Sequence, residues 1–228
     1  LAADLVVKSP GIPDKAPIVK ALREKGVPVV SEIEFARPFS KGRTLCITGS
    51  NGKTTTTTLT HRILAEAGWD VAVGALSVAR HDKEWYVLEL SSFQLDGCVD
   101  FVADIAVLMN ITPDHLDRYN YKFENYAESK MRIAQNQTSE QTFVYMADDS
   151  NITSRLEAHA AEVTHAPFSK AMVGEDGIIR ISLGDKEMEI DSNRLKIKGL
   201  HNMYNAMAAS LAAMAAGVPT ESILATLY

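Results

Sequence analysis

Apolar residues along this chain come in short runs separated by longer amphipathic stretches. Leu5-Val6-Val7, a turn at Ser9-Pro10-Gly11, a helical period from about Ala16 to Lys25 and the run Val27 to Val30 together predict one βαβ unit. From Arg43 the runs Leu45 to Thr48, Val71 to Val73, Trp85 to Leu90, Ile105 to Met109, Thr142 to Met146 and Glu162 to His165 alternate with helical stretches. Near-continuous apolar strands between helices predict a mainly parallel sheet covered on both faces. Gly177 to Ile190 has another texture. There Ile178-Ile179-Arg180-Ile181 and Met188-Glu189-Ile190 flank Gly184-Asp185, which predicts a small antiparallel hairpin. The end is helical, with Met203, Met207, Leu211 and Met214 on one face and a stop at Gly217-Val218-Pro219.

A single βαβ unit cannot bury a core by itself, so the first segment reads as the tail of a domain that begins before Leu1, with Glu32 to Lys41 as its linker. The end at Tyr228, inside an apparent helix with no polar tail, also looks cut. One connection is too short for its neighbours. Only Gly74 to Glu84 joins Val73 to Trp85, and a parallel crossover takes about a dozen residues or more. Either residues are lacking after Gly74 or the two runs do not pair.

Composition narrows the partners. A net charge of -6 over 228 residues argues against a nucleic-acid partner, whose affinity comes from clustered Lys and Arg. No apolar stretch approaches the ~20 residues that span a bilayer, and Leu1 opens without a basic, signal-like start, so no membrane partner is expected. The two cysteines, Cys46 and Cys98, have neither disulfide nor zinc spacing, which suits a reducing cytoplasm.

The chemistry gathers after the strands. Gly49-Ser50-Asn51-Gly52-Lys53-Thr54-Thr55 follows an apolar strand and opens a helix, the setting of a phosphate loop that binds Mg-ATP. Backbone N–H groups and the helix N-terminus face phosphate, Lys53 supplies a cation, and Thr54 offers its hydroxyl to Mg²⁺. Ile47 stands where the usual loop has its first glycine. Glu89 ends the run Trp85-Tyr86-Val87-Leu88, and His115 follows the run ending at Met109, so both are expected at the carboxyl edge of the sheet. A carboxylate there can bind magnesium. His115 alone could equally be structural, and Lys130 alone would read as a solvated helix lysine.

Four stretches together, Thr48 to Thr55, Leu88-Glu89-Leu90-Ser91-Ser92-Phe93-Gln94-Leu95, Asn110-Ile111-Thr112-Pro113-Asp114-His115-Leu116-Asp117-Arg118-Tyr119 and His201-Asn202-Met203-Tyr204-Asn205-Ala206, resemble the Mur ligases of peptidoglycan synthesis. The phosphate loop and the Asp-His-Leu-Asp stretch suit the wider superfamily, folylpolyglutamate synthases included. Glu-Leu-Ser-Ser-Phe-Gln-Leu resembles the D-glutamate-adding branch. The resemblance implies an α/β fold: a phosphate-loop central domain with a mainly parallel sheet flanked by helices plus a small antiparallel sheet, preceded by the tail of a Rossmann-like domain. It implies that residues 1–34 are the tail of a UDP-substrate domain, residues 35–228 a central ATPase domain, and that a C-terminal ligase domain is absent from this chain.

For the site, the resemblance implies ATP and Mg²⁺ as cofactors and a monomer acting on UDP-N-acetylmuramoyl-L-alanine and D-glutamate. Lys53 and Thr54 would hold phosphate and Mg²⁺, Glu89 and His115 metal, and Asn202 and Asn205 the nucleotide, Asn205 at the adenine. Lys130, in Glu128-Ser129-Lys130-Met131-Arg132-Ile133, would be a carbamylated lysine serving metal, and Ser9, Pro10 and Gly11 would lie near the UDP substrate. The family's Gly-Asn-Ile-Gly, expected after Gly74, is missing. Sibling ligases, a phosphate-loop kinase, a nucleotide-dependent switch and a non-catalytic nucleotide-binding module are the competing readings.

Overall fold

The computed structural model describes residues 3–74 and 82–228. In chain order the elements are β1 (Val6–Lys8), α1 (Pro17–Glu24), β2 (Val29–Ser31), α2 (Glu32–Ala36), β3 (Arg43–Thr48), α3 (Lys53–Glu66), β4 (Val71–Val73), β5 (Trp85–Glu89), α4 (Ser92–Leu95), β6 (Ile105–Leu108), α5 (Phe123–Met131), β7 (Thr142–Met146), α6 (Ser150–Thr153), α7 (Leu156–His159), β8 (Thr164–Phe168), β9 (Ile178–Leu183), β10 (Lys186–Asp191), α8 (Leu200–Ala216) and α9 (Thr220–Leu227). The last strand of the parallel series begins at Thr164, two residues later than the apolar run suggested, because Ala166 and Phe168 point into the core while Glu162 does not.

Six strands form one all-parallel sheet in the order β4-β5-β3-β6-β7-β8. The chain leaves β3 towards one edge, through β4 and back to β5, and then builds the other edge from β6. The order therefore reverses at β3, and in open α/β sheets the crevice at such a reversal takes the ligand. Three strand ends meet there: the loop after β3, Glu89 at the end of β5, and Met109-Asn110 after β6. Buried runs such as Leu45-Cys46-Ile47 and Ala106-Val107-Leu108 explain why the strands sit centrally, since both of their faces are covered.

β4 and β5 are parallel neighbours, with Val71 opposite Trp85 and Val73 opposite Val87. The alternative that these runs do not pair is thus overturned. Most of the short connection, and with it the place where Gly-Asn-Ile-Gly was expected, lies outside the described residues.

The hairpin at Gly184-Asp185 forms as expected, β9 pairing antiparallel with β10 and turning Ile179, Ile181, Met188 and Ile190 into the core. Helix α8 differs from a one-faced amphipathic helix: Asn205 to Met214 are all buried, and only Met203 of the methionine stripe is partly open. Its many alanines let it lie close to the sheet on one side and α3 on the other.

The tail unit, β1 and β2 paired in parallel around α1, is joined tightly to the rest. The stretch expected as a linker is largely helical. Ser31 caps α2 through its hydroxyl, Ile33 and Ala36 of α2 enter the central core, and the Glu34 carboxylate accepts from the N–H groups of Val99, Asp100 and Phe101 at 2.8 to 3.1 Å. Linker composition did not reveal this, because the helix is stabilised by what it packs against.

Candidate active site

The loop from Gly49 to Gly52 turns β3 into α3, and its glycines are dictated by neighbours. Gly52 sits at φ 86°, where a Cβ would lie 2.6 Å from Asn205 Oδ1; Gly49 sits at φ 151°, where a Cβ would lie 2.8 Å from Met109 Cβ. Asn110 grips the loop from the next strand. Its Oδ1 accepts from the Asn51 N–H at 2.8 Å and its Nδ2 donates to the Asn51 carbonyl at 3.0 Å. The Ser50 hydroxyl bonds to Thr112 and reaches Tyr126 Oη at 3.0 Å. The loop thus holds its shape without ligand, with the first N–H groups of α3 facing outwards.

Lys53, Thr54, Glu89 and Lys130 converge on it. Lys53 Nζ, partly buried rather than freely exposed, donates to the carbonyls of Gly49 and Ser50 at 3.0 and 3.1 Å. Thr54 Oγ1 donates to Glu89 Oε2 at 2.8 Å. Lys130 is only 2% exposed, and its Nζ donates to the same Gly49 carbonyl at 2.9 Å. Desolvation, followed by the charge of Lys53, lowers the Lys130 pKa to about 7, against the opposing pull of Asp114 and Asp96. A solvated helix lysine would have none of this.

A divalent cation and a nucleotide both fit. The Thr54 hydroxyl and Glu89 carboxylate are two hard oxygen donors at the start of a helix. No three His, Cys, Asp or Glu side chains among the described residues form a closed metal cage. An ion there would draw its other oxygens from phosphate and water, the usual arrangement for Mg²⁺. Beside the loop lies a mostly apolar cavity of about 690 Å³ walled by Thr55, Met109, Met146, Asn202, Tyr204 and Asn205, suited to a base and sugar. Asn205 is 6% exposed, with Oδ1 accepting from Thr56 Oγ1 at 3.3 Å and Nδ2 donating to Asn202 at 3.1 Å. It braces the loop as well as lining the cavity.

His115 stands apart from this cluster. Its side chain is 59% exposed, its φ is 49°, and its ring packs on Phe93 at 5.6 Å. Among the described residues it makes no hydrogen bond to Thr54, Glu89 or Lys130. Ser9, Pro10 and Gly11 lie with the tail unit, where the Pro10 carbonyl accepts from Arg118 Nη2 at 3.2 Å. A cleft of about 420 Å³ separates the tail from the Asp117-Arg118-Tyr119 stretch and is lined by Lys8, Lys15, Lys20 and Phe93. Sequence reasoning gave no role to Asn110, Tyr126 or Tyr204. Asn110 was visible as the second residue after β6, but its grip on Asn51 depends on the pairing of β6 with β3.

The family model of the Mur ligase middle domain matches residues 47–213, and the chain belongs to that family. At the level of individual relatives, the chain is similar to the UDP-N-acetylmuramoylalanine--D-glutamate ligases of Bacteroides fragilis, at 47% identity over 98% of this chain and 53% of the relative, and of Christiangramia forsetii, at 48% identity over 97% of this chain and 53% of the relative. The chain spans about half the length of the curated relatives it matches. Among solved structures, the UDP-N-acetylmuramate:L-alanyl-gamma-D-glutamyl-meso-diaminopimelate ligase of Neisseria meningitidis superposes with a TM-score of 0.69 at 19% identity, covering 99% of this chain and 78% of that one. MurF from Acinetobacter baumannii gives 0.67 at 19% identity, covering 84% and 47%. These two likenesses speak for the fold, a mainly parallel sheet flanked by helices with a small antiparallel sheet.

Proposed function

We propose that this chain is the nucleotide-handling part of an ATP-dependent ligase that adds D-glutamate to UDP-N-acetylmuramoyl-L-alanine through an acyl phosphate in peptidoglycan synthesis. The relatives' names support the substrates. The chemistry rests on one observation: the Thr54 hydroxyl lies 2.8 Å from the Glu89 carboxylate at the start of α3, with two lysine amines on the Gly49 carbonyl beside it. In this reading residues 1–34 belong to a UDP-substrate unit and residues 35–228 to the ATPase unit. D-glutamate is selected by a further unit, which the relatives' greater length supports, and the enzyme is a cytoplasmic monomer.

Magnesium bound by Thr54 and Glu89 would offset the charge gathering on the transferred phosphoryl group. Lys53 would offer its charge to the β- and γ-oxygens, and the loop N–H groups would cradle the phosphates. The carboxylate of the UDP substrate attacks the γ-phosphorus and ADP departs; the amine of D-glutamate then displaces phosphate from the acyl phosphate and gives up a proton. Asn110 and Asn205 keep the loop in one shape throughout, so positioning needs little reorganisation.

Lys130 supports a carbamate. With a pKa of about 7, much of its amine is neutral near physiological pH and can add CO₂ with loss of a proton, replacing a buried ammonium by an anion beside Lys53. That carbamate and His115 would serve a second cation.

Two measurements test the reading. Lys53→Ala should weaken ATP binding by about 10–100-fold in calorimetry with the circular dichroism unchanged, as expected for loss of charge-assisted hydrogen bonds; unchanged affinity refutes the phosphate loop. With ¹³C-labelled bicarbonate, wild type should show a carbamate resonance that grows between pH 7 and 9 and is missing in Lys130→Arg. For the substrates, full-length protein should release phosphate with D-glutamate and not with L-lysine or L-glutamate.

A further inference from the structure

The segment from His115 to Tyr121 is strained, and three of its side chains share one neighbour. His115, Asn120 and Tyr121 adopt φ values of 49°, 55° and 57°, left-handed conformations that are costly for residues with a side chain. Three side chains of the segment rest on the ring of Phe93. The His115 ring lies at 5.6 Å, the Arg118 guanidinium carbon at 4.1 Å over the ring, and Tyr119 stacks at 5.9 Å with planes 13° apart. Apart from Phe93, the His115 ring lies 3.5 Å from the Asp114 carboxylate, and its carbonyl accepts from the Arg118 N–H at 3.0 Å.

Phe93 packs against the edge of the core without being enclosed by it. It is half-buried and lines the cleft that also holds Lys8, Lys15 and Lys20. Its one-turn helix α4 is firmly held: Ser91 and Gln94 form a capping box, Ser129 Oγ donates to the Ser92 carbonyl at 3.0 Å, and Leu95 is buried. Only Leu90 and Ser91 separate α4 from β5, so Phe93 lies four positions along the backbone from Glu89. On the tail side, Arg118 carries the Pro10 carbonyl at 3.2 Å.

We propose that Phe93 is a positioning residue whose ring sets His115 relative to the strand bearing Glu89 and holds Arg118 on the Ser9–Gly11 loop, registering the metal corner with the substrate loop. The ring is the right group for both tasks. Its face attracts a guanidinium and offers a flat surface to an imidazole, whereas an aliphatic side chain of similar bulk does neither. The proposal rests on the Mg-nucleotide reading above.

The test uses the 228-residue chain with ¹³C-labelled histidine and Mn²⁺-ADP as a paramagnetic probe. In wild type, the His115 ring protons should be shifted upfield by Phe93 and broadened by the probe, together with the Gly52 and Thr54 amides. In Phe93→Leu the upfield shift should vanish and the broadening of His115 fall several-fold, while Gly52 and Thr54 stay broadened. Amide exchange at Gly11 and Ile12 should rise by roughly three- to tenfold, the loss of one cation–π contact. Phe93→Tyr should restore all three signals. Arg118→Ala should raise exchange at Gly11 and Ile12 and leave the His115 signals as in wild type. If His115 keeps its broadening in a folded Phe93→Leu protein, the proposal is overturned and the nucleotide site stands. If Gly52 and Thr54 are not broadened in wild type, the nucleotide reading fails and this proposal falls with it.

Discussion

Two loops of the molecule, one at each end of the candidate site residues, are built in opposite ways. Gly49 to Gly52 is gripped from every side: Asn110 clasps Asn51, Thr112 and Tyr126 hold Ser50, and Asn205 presses on Gly52. Ser9 to Gly11 is closed by one turn bond, Ile12 N–H to the Ser9 carbonyl at 3.0 Å, and is tied to the central unit by Arg118 alone among the described hydrogen bonds. The first loop is preorganised for a ligand whose charges must be met at once, so little ordering cost remains at binding. The second is free to adjust to its ligand. The contrast is between a loop whose shape is fixed by several neighbours and one that few bonds hold.

That comparison can be broken at three points. The largest effect is expected at Lys130, whose buried amine costs stability whenever it is charged. Its folded pKa of about 7 lies below the unfolded value of 10.5, so below pH 7 both states are protonated and the penalty is complete. Between pH 7 and 10.5 the unfolded chain binds more protons, and stability rises with pH. Lys130→Met should therefore stabilise the chain by about 2–4 kcal/mol at pH 7, allowing for the lost bond to Gly49. The gain should shrink as pH rises towards 10.5, read by urea denaturation in CO₂-free buffer. A pH-independent difference would mean that the amine is not desolvated.

Next comes Gly52→Ala. A methyl group there must fit a left-handed φ and displace Asn205 Oδ1, so it should destabilise by roughly 1–3 kcal/mol and weaken ATP binding at least tenfold. Normal affinity would show that the loop is less rigid than its bonds imply. The smallest effect is expected in the other loop. Lys8 donates to the Ile12 carbonyl and pairs with Asp14 at 3.0 Å, and Lys8→Met should cost only about 1 kcal/mol while leaving ATP affinity unchanged. A loss of nucleotide binding there would show that the two loops are coupled more tightly than the comparison holds.

Much of the fold was legible because the strands are nearly uninterrupted apolar runs and the turns carry their own chemistry. The hairpin at Gly184 and the glycine-containing turn from β3 into α3 are local signals and formed where expected. The linker expected at Glu32 to Lys41 differs for the same reason in reverse: its polar composition suits a linker, and it is the burial of Ile33 and Ala36 and the three N–H groups offered by Val99 to Phe101 that make it a docked helix. Lys130 shows the limit for the site. Motif alone pointed to it, since nothing in the spacing of α5 says that the residue is buried.

By itself the amino-acid sequence determined the order of strands and helices, the glycine-lysine-threonine loop, the carboxylate ending β5 and the histidine after β6. These depend on neighbours a few residues away, through periodicity, capping and backbone freedom. The tertiary structure alone decided that β3 lies between β5 and β6, which brings Glu89 to Thr54, Asn110 to Asn51 and Lys130 to Gly49 across separations of 35, 59 and 81 residues. Such meetings are set by which strands pair and which faces must be buried together, a property of the whole core that no local stretch of sequence carries.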